Sequence, residues 1–272
     1  MAKQSSSRKE PSRSSSPHRS FKRTYREDYA RELDVPGMGQ HIYDAFKMFV
    51  GNWKIFVPFV VLTGALEALV VRLTYETMAV FTILIFLMIW LVTIFLVRHI
   101  MAGHKVTLRD GLYNAMTPLL SSLVVFVVIV VECIPLFLLI IAYSAAVRTE
   151  FLTMPFYALL FFCFAGLMVT LSGYLLSSSL IALLAVSAPG MYPMKALTTA
   201  AGLMMGRRIR FILRLIALLF VVGVIYAIIV VPLAALKVPM EILSVIAATL
   251  SCFDAIYATI YLYLYYRYLL DA

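Results

Sequence analysis

Apolar positions in this chain gather into six long runs, at about residues 55–71, 78–97, 118–146, 153–188, 209–236 and 242–266. Each is long enough to cross a bilayer's hydrocarbon core, which takes roughly 17–25 residues of helix. The polar junctions between them are of two kinds. Three are short turns, around Arg72–Thr77, Arg148–Glu150 and Lys237–Glu241. The others are longer and carry an amphipathic stretch just before the next run. Ile42, Ala45, Phe46 and Phe49 recur at helical spacing before the first run, and Leu108, Leu112, Tyr113 and Met116 before the third. The stretch Pro189–Phe220 holds a loop, a further amphipathic segment and a basic cluster before the fifth. The pattern predicts an all-α, polytopic membrane protein with six transmembrane helices in three hairpins, each preceded by an interfacial amphipathic helix.

Two runs carry local irregularities. Pro135 removes a backbone donor in the third and should kink it. The fourth, about 36 residues long, would extend roughly 54 Å as one helix. It should therefore tilt or bend, with Gly173 as the expected bend and Gly166, Thr170, Gly173 and Ser177 as a ladder of small residues against a neighbouring helix.

Composition agrees with this reading: 63% of residues are hydrophobic and only 14% charged, against about 25% charged in soluble domains. The net charge of +9 therefore belongs to loops and tail. Residues 1–35 form a separate segment, Ser/Arg-rich and too poor in apolar residues to build a core, and disorder is expected there. A short amphipathic helix is expected within it at 21–34, where Phe21, Tyr25, Tyr29 and Leu33 share a face. The membrane domain spans 36–272. No cleavable leader is expected, because polar residues follow the basic start.

After the tail, the junctions on the N-terminal side of the membrane hold eleven Lys or Arg, and the opposite turns hold three, Arg72, Arg148 and Lys237. Basic residues favour the cytoplasmic side, so both termini should be cytoplasmic, in a cell (inner, cytoplasmic) membrane. Trp53, Lys54, Arg207, Arg208, Arg210 and Arg214 then read as interface anchors. The expected partners are the bilayer, in particular anionic lipids at the cytoplasmic face, and protein partners there; nucleic acid is not an expected partner.

The segment Val50-Gly51-Asn52-Trp53-Lys54-Ile55-Phe56 aligns with Met205-Gly206-Arg207-Arg208-Ile209-Arg210-Phe211, with a more degenerate middle copy, which suggests a threefold repeat. Lys195-Ala196-Leu197, Gly206-Arg207-Arg208, the late Pro232-Leu233 and the tyrosine-rich end Tyr265-Tyr266-Arg267 give the chain a further feature. Over about residues 41–268 it resembles a bacterial group of uncharacterised six-span proteins similar to the membrane domain found beside glycerophosphodiester phosphodiesterases. The resemblance implies a membrane module without the catalytic barrel, since no soluble stretch is long enough to hold one.

Sequence signatures of catalysis are missing. There is no P-loop, HExxH, CxxC or GxSxG, so no catalytic residue, metal site or cofactor is expected. Cys133, Cys163 and Cys252 lie in apolar runs as small core residues without a disulfide framework. His99 and His104 read as loop histidines. Three acids inside the runs stand out: Glu132 and Asp254 near mid-membrane, and Glu67 closer to the outer surface, where it should tolerate change best. Isolation in hydrocarbon disfavours a charged carboxylate, so each acid either bonds helices together, with Tyr257 or Tyr261 as partners, or carries protons or cations. The tyrosines toward the end of the sixth run fit an interfacial aromatic belt. The expected function is that of a non-enzymatic accessory or scaffold protein engaging lipid or cytoplasmic partners. The alternative is a small-solute or lipid transporter coupled through Glu132 and Asp254.

Overall fold

The computed structural model describes residues 37–73, 77–149, 153–188 and 190–270 in full, and the backbone alone of 75 and 76. The basic tail and the helix expected at 21–34 lie outside the described residues. Among the described residues the regular structure is helical, in ten helices: α1 Met38–Gly51, α2 Trp53–Val70, α3 Tyr75–Met101, α4 Leu108–Asn114, α5 Leu119–Glu132, α6 Ile134–Arg148, α7 Pro155–Ala185, α8 Pro193–Leu203, α9 Arg208–Ala235 and α10 Met240–Leu270. Six segments are long and apolar enough to cross a membrane: α2, α3, the α5–α6 pair, α7, α9 and α10. The chain is a multi-pass membrane protein of three helical hairpins. Alternate crossing puts α1, α4, α8 and the end of α10 on one face, here the basic face, and the short connections on the opposite, turn face.

Local chemistry explains the boundaries. The third span breaks at Cys133, between Glu132 and Ile134 and two residues before Pro135, whose missing N–H and bulky ring weaken the helix there. No such break appears at Gly173, and α7 runs on through it as a continuous helix. The middle amphipathic helix is shorter than its sequence pattern, only seven residues, because Pro118 closes the segment. At its start Thr107 and Asp110 bond to each other's backbone N–H in a reciprocal cap. The Thr107 hydroxyl and backbone N–H both donate to Asp110 Oδ2, at 2.7 and 3.0 Å, and hold its carboxyl below its ordinary pKa by favouring the carboxylate.

The threefold repeat is written in the buried positions. Counted back from the starts of α2, α5 and α9, the same register holds Ala45, Gly111 and Ala200, then Phe49, Ala115 and Met204. Three residues into each spanning helix come Phe56, Ser122 and Phe211. All nine are buried. Their neighbours repeat too: α4 packs on α3, α8 on α7 and α1 on α10, so each short helix lies on the second helix of the preceding hairpin, the first copy closing the cycle through the last. The same rule places α3 beside α5, α7 beside α9 and α10 beside α2. Position 111 is small for a physical reason: a Cβ there would come 3.1 Å from the Leu96 side chain.

Packing is uneven between the copies. Gly64 of α2 faces Thr249 of α10 so closely that a Cβ would meet the Thr249 Oγ1 at 2.9 Å and its backbone Cα at 3.0 Å. The small-residue ladder expected in α7 does not act in this way. Gly166 and Thr170 are exposed, nothing lies within 4 Å of a Cβ placed on Gly166, and Gly173 makes only ordinary contact with Ile212. The outer part of α7 packs on α6, with Tyr143 and Phe161 in ring contact, but Gly166 and Thr170 lie on a face that this contact leaves open, which is why the spacing was misleading.

Candidate functional site

Helix packing uses two of the three membrane acids directly. Glu132 ends α5, so its carbonyl has lost its helical donor, and the Ser172 hydroxyl donates to it across the helix pair at 3.1 Å. About two turns further along the same face of α7, Ser179 donates to Glu132 Oε1 at 2.7 Å. Glu67 is buried between α2 and α3, where the Thr82 hydroxyl donates to its Oε1 at 2.9 Å. Although nearer the outer surface by sequence, Glu67 is thus enclosed by protein. Asp254 differs from both. It is buried in α10, and neither carboxyl oxygen has a hydrogen-bond partner.

Neither tyrosine expected as a partner reaches an acid. The Tyr257 hydroxyl donates to the Ile42 carbonyl of α1 at 2.9 Å. His41 Nε2 of α1 answers from the other side, donating to the Tyr261 carbonyl at 3.0 Å while its ring meets the Tyr261 ring edge-on at 4.4 Å. Two bonds in opposite directions thus fasten α1 to α10. His41 is fully buried with Nδ1 unbonded. Desolvation, aided by the nearby Arg214 charge and opposed by the Tyr261 carbonyl, pushes its pKa down from 6.5 to about 4. The neutral tautomer with the proton on Nε2 is the one that fits. Tyr257, Tyr261, Tyr263, Tyr265 and Tyr266 are all buried. They are not an interfacial belt, because α1, α2, α3 and α9 surround this helix.

The anchors separate into two groups. Trp53, Lys54 and Arg210 are exposed, as interface anchors should be. Arg208 instead turns toward α7: it donates to the Tyr174 carbonyl at 3.2 Å and places its guanidinium 3.8 Å from the Tyr174 ring centre. Arg214 lies 5.1 Å over the Tyr265 ring, inside the helix cluster. Arg207 is half-buried at the start of α9.

One feature of the basic face escaped the sequence pattern. A cavity of about 420 Å³ lies where the end of α3, the α4–α5 junction and the α7–α8 connection meet. Arg98 and His99 line it together with Asn114, Thr117 and Ser121, and Leu91, Ile94 and Val186 form apolar walls. An open hollow on the outside of α4, lined by Arg109, Asp110 and Tyr113, is a surface depression by comparison. None of Glu67, Glu132 and Asp254 lines either one. The signal available in the sequence was the Arg98-His99 pair ending a span opposite the hydroxyl-rich Thr117–Ser122, residues distant along the chain. Among the described residues no group of three or more His, Cys, Asp or Glu could hold a metal ion.

Comparison of the chain with family models, with curated proteins and with solved structures finds no match.

Proposed function

We propose that this is a non-enzymatic accessory or scaffold protein of the cell membrane, which engages anionic lipid and partner proteins through its basic face. The reading is carried by one observation: the Glu132 carboxyl accepts a hydrogen bond from Ser179 of α7 while its backbone carbonyl accepts one from Ser172, so the residue joins two helices. The likeness to the six-span group beside glycerophosphodiester phosphodiesterases is compatible with this role and rests on the residues quoted for it. In this reading the basic face is cytoplasmic, with both termini inside, following the distribution of Lys and Arg. Exposed Trp53, Tyr43 and Phe46 near exposed Lys47 and Lys54 supply the mixed apolar and basic surface that a lipid interface attracts.

Transport is the second reading, favoured by Asp254 alone, whose two unpartnered, buried oxygens are what a proton-carrying group would present. Glu132→Gln and Asp254→Asn separate the two readings, since each amide keeps the shape of the neutral acid and cannot ionise. Scaffolding requires both variants to complement a deletion strain while retaining wild-type thermal stability. Loss of complementation by a well-folded Asp254→Asn protein would replace the scaffold with the transporter. Orientation is tested by single cysteines at positions 104 and 148, in a background lacking Cys133, Cys163 and Cys252. Only position 148 should label from outside the cell.

A further inference from the structure

We infer that the cavity lined by α3, the α4–α5 junction and the α7–α8 connection binds a phosphate-bearing anion, presented either as an anionic phospholipid headgroup or as a soluble phosphate ester. The lining residues carry the argument. Arg98 and His99, in the last turn of α3, stand in the wall of the cavity, and among the described residues no carboxylate lines it. His99 Nδ1 bonds to the Phe95 carbonyl of its own helix at 2.9 Å, and its ring lies tilted by 33° against the Phe95 ring with centroids 4.0 Å apart. The imidazole is therefore fixed by its own turn. Its Nδ1 must carry the proton of that bond, which leaves Nε2 of the neutral ring as an acceptor, suited to a hydroxyl of the ester or headgroup and not to a phosphate oxygen.

Across the cavity, Thr117 and Ser121 bring hydroxyl-bearing side chains from the start of the third span, and Asn114 brings its amide, one N–H of which is donated to the Asp110 carbonyl at 2.9 Å. A guanidinium and hydroxyls without a competing acid suit a phosphate, which guanidinium groups grip through charge-assisted, paired hydrogen bonds. Leu91, Ile94 and Val186 make the other walls, which suits the apolar part of an amphiphile better than inorganic phosphate alone. The volume, about 420 Å³, falls within the roughly 300–1,000 Å³ common for small-molecule sites. This inference deepens the reading of the basic face as lipid-engaging and rests on it for the lipid source. The site is shared between hairpins, with Arg98 and His99 from the first and Thr117, Ser121 and Val186 from the second.

The test uses the full-length protein purified in a neutral detergent and follows the thermal midpoint as ligand is added. Three probes are compared: dihexanoyl phosphatidylglycerol, dihexanoyl phosphatidylcholine and glycerol 3-phosphate. The expected result is a saturable rise with phosphatidylglycerol and a much weaker one with phosphatidylcholine. Arg98→Gln should lower the apparent affinity by roughly tenfold or more, as loss of a charged hydrogen-bond donor does. Ser121→Leu, which narrows the cavity and keeps its charge, should weaken it as well. Lys195→Gln removes one exposed charge from the same face outside the cavity and should bind as the wild type does. A saturable, Arg98-dependent response to glycerol 3-phosphate that matches phosphatidylglycerol would assign the site to a soluble ester; a response to the lipid alone would assign it to a headgroup. Equal binding by wild type and Arg98→Gln overturns the inference. So does an equal loss in Arg98→Gln and Lys195→Gln, which would leave only the general charge of the basic face. Flotation of the wild type with anionic against neutral vesicles tests that broader reading separately.

Discussion

The first hairpin with the last helix, and the second hairpin with α9, are built from the same repeat yet packed differently. In α2, α3 and α10 the most apolar window of each span is 39%, 50% and 33% buried within the protein; in the α5–α6 pair, α7 and α9 the figure is 6% for each. The apolar residues are not fewer in the open group. Phe156, Leu159, Leu160 and Phe162 of α7 simply face outward, and lipid is as good a surrounding for them as protein. Close helix contact in a membrane must then come from shape and polar bonds, and these are concentrated in the first group: Gly64 against Thr249, Glu67 with Thr82, and α1 bonded to α10 through His41 and Tyr257. In the open group the polar contacts collect around Glu132 and Tyr174, at the break in the third span and the start of α9.

The strongest way to break the contrast is to swap bulk into equivalent surroundings. Gly64→Leu should cost about 3 kcal/mol or more, because the obstructing atoms include backbone that cannot rotate away. Gly166→Leu should leave the thermal midpoint of the detergent-solubilised protein unchanged, since nothing lies near it. Equal losses in the two variants would show that α7 is enclosed after all.

Acid should act next, and only on the closed group. His41 has its pKa lowered from 6.5 to about 4 on folding, so between these values the unfolded chain binds the extra proton. Stability is full above about pH 6.5 and falls as the pH drops toward 4. Linkage makes the loss about 2 kcal/mol between pH 8 and pH 5. Denaturation of the wild type across this range should show the fall, and His41→Gln, which can still donate to the Tyr261 carbonyl, should lack that part of it. An unchanged pH profile in the variant would remove His41 as its source.

The acids sharpen the contrast with smaller effects. Glu67→Ala leaves the Thr82 hydroxyl without its acceptor in a buried place and should cost about 1–2 kcal/mol. Glu132→Gln keeps a carbonyl oxygen for Ser179 and should shift the thermal midpoint very little. The smallest effect is expected from Thr107→Ala, which opens the cap of α4. It should be read as faster hydrogen exchange at the Asp110 and Gly111 amides with an unaltered global midpoint.

Hydropathy and the positions of Lys, Arg, Pro and Gly were enough to determine six spans, three hairpins, the amphipathic lead-in segments and the break near Pro135. These are properties of single segments: a run of apolar side chains finds its place in a bilayer whatever its neighbours are. The two clearer copies of the repeat were legible for the same reason. The degenerate middle copy was not, because its kinship lies in Gly111, Ala115 and Ser122 being buried, and small residues announce burial far less than Phe49 or Phe56 do. Only tertiary structure decided which helices touch. A membrane offers no water to mark the inner face of a helix with polar residues on the other side, so apolar periodicity is silent on neighbours. That is why the ladder of α7 pointed to a contact that is open, why Gly64 gave no sign of one that is tight, and why the tyrosines of α10 looked like a belt. It is also why Ser179, 47 residues from Glu132, and the walls of the cavity beside Arg98 could be matched to their partners only once the three hairpins had closed on one another.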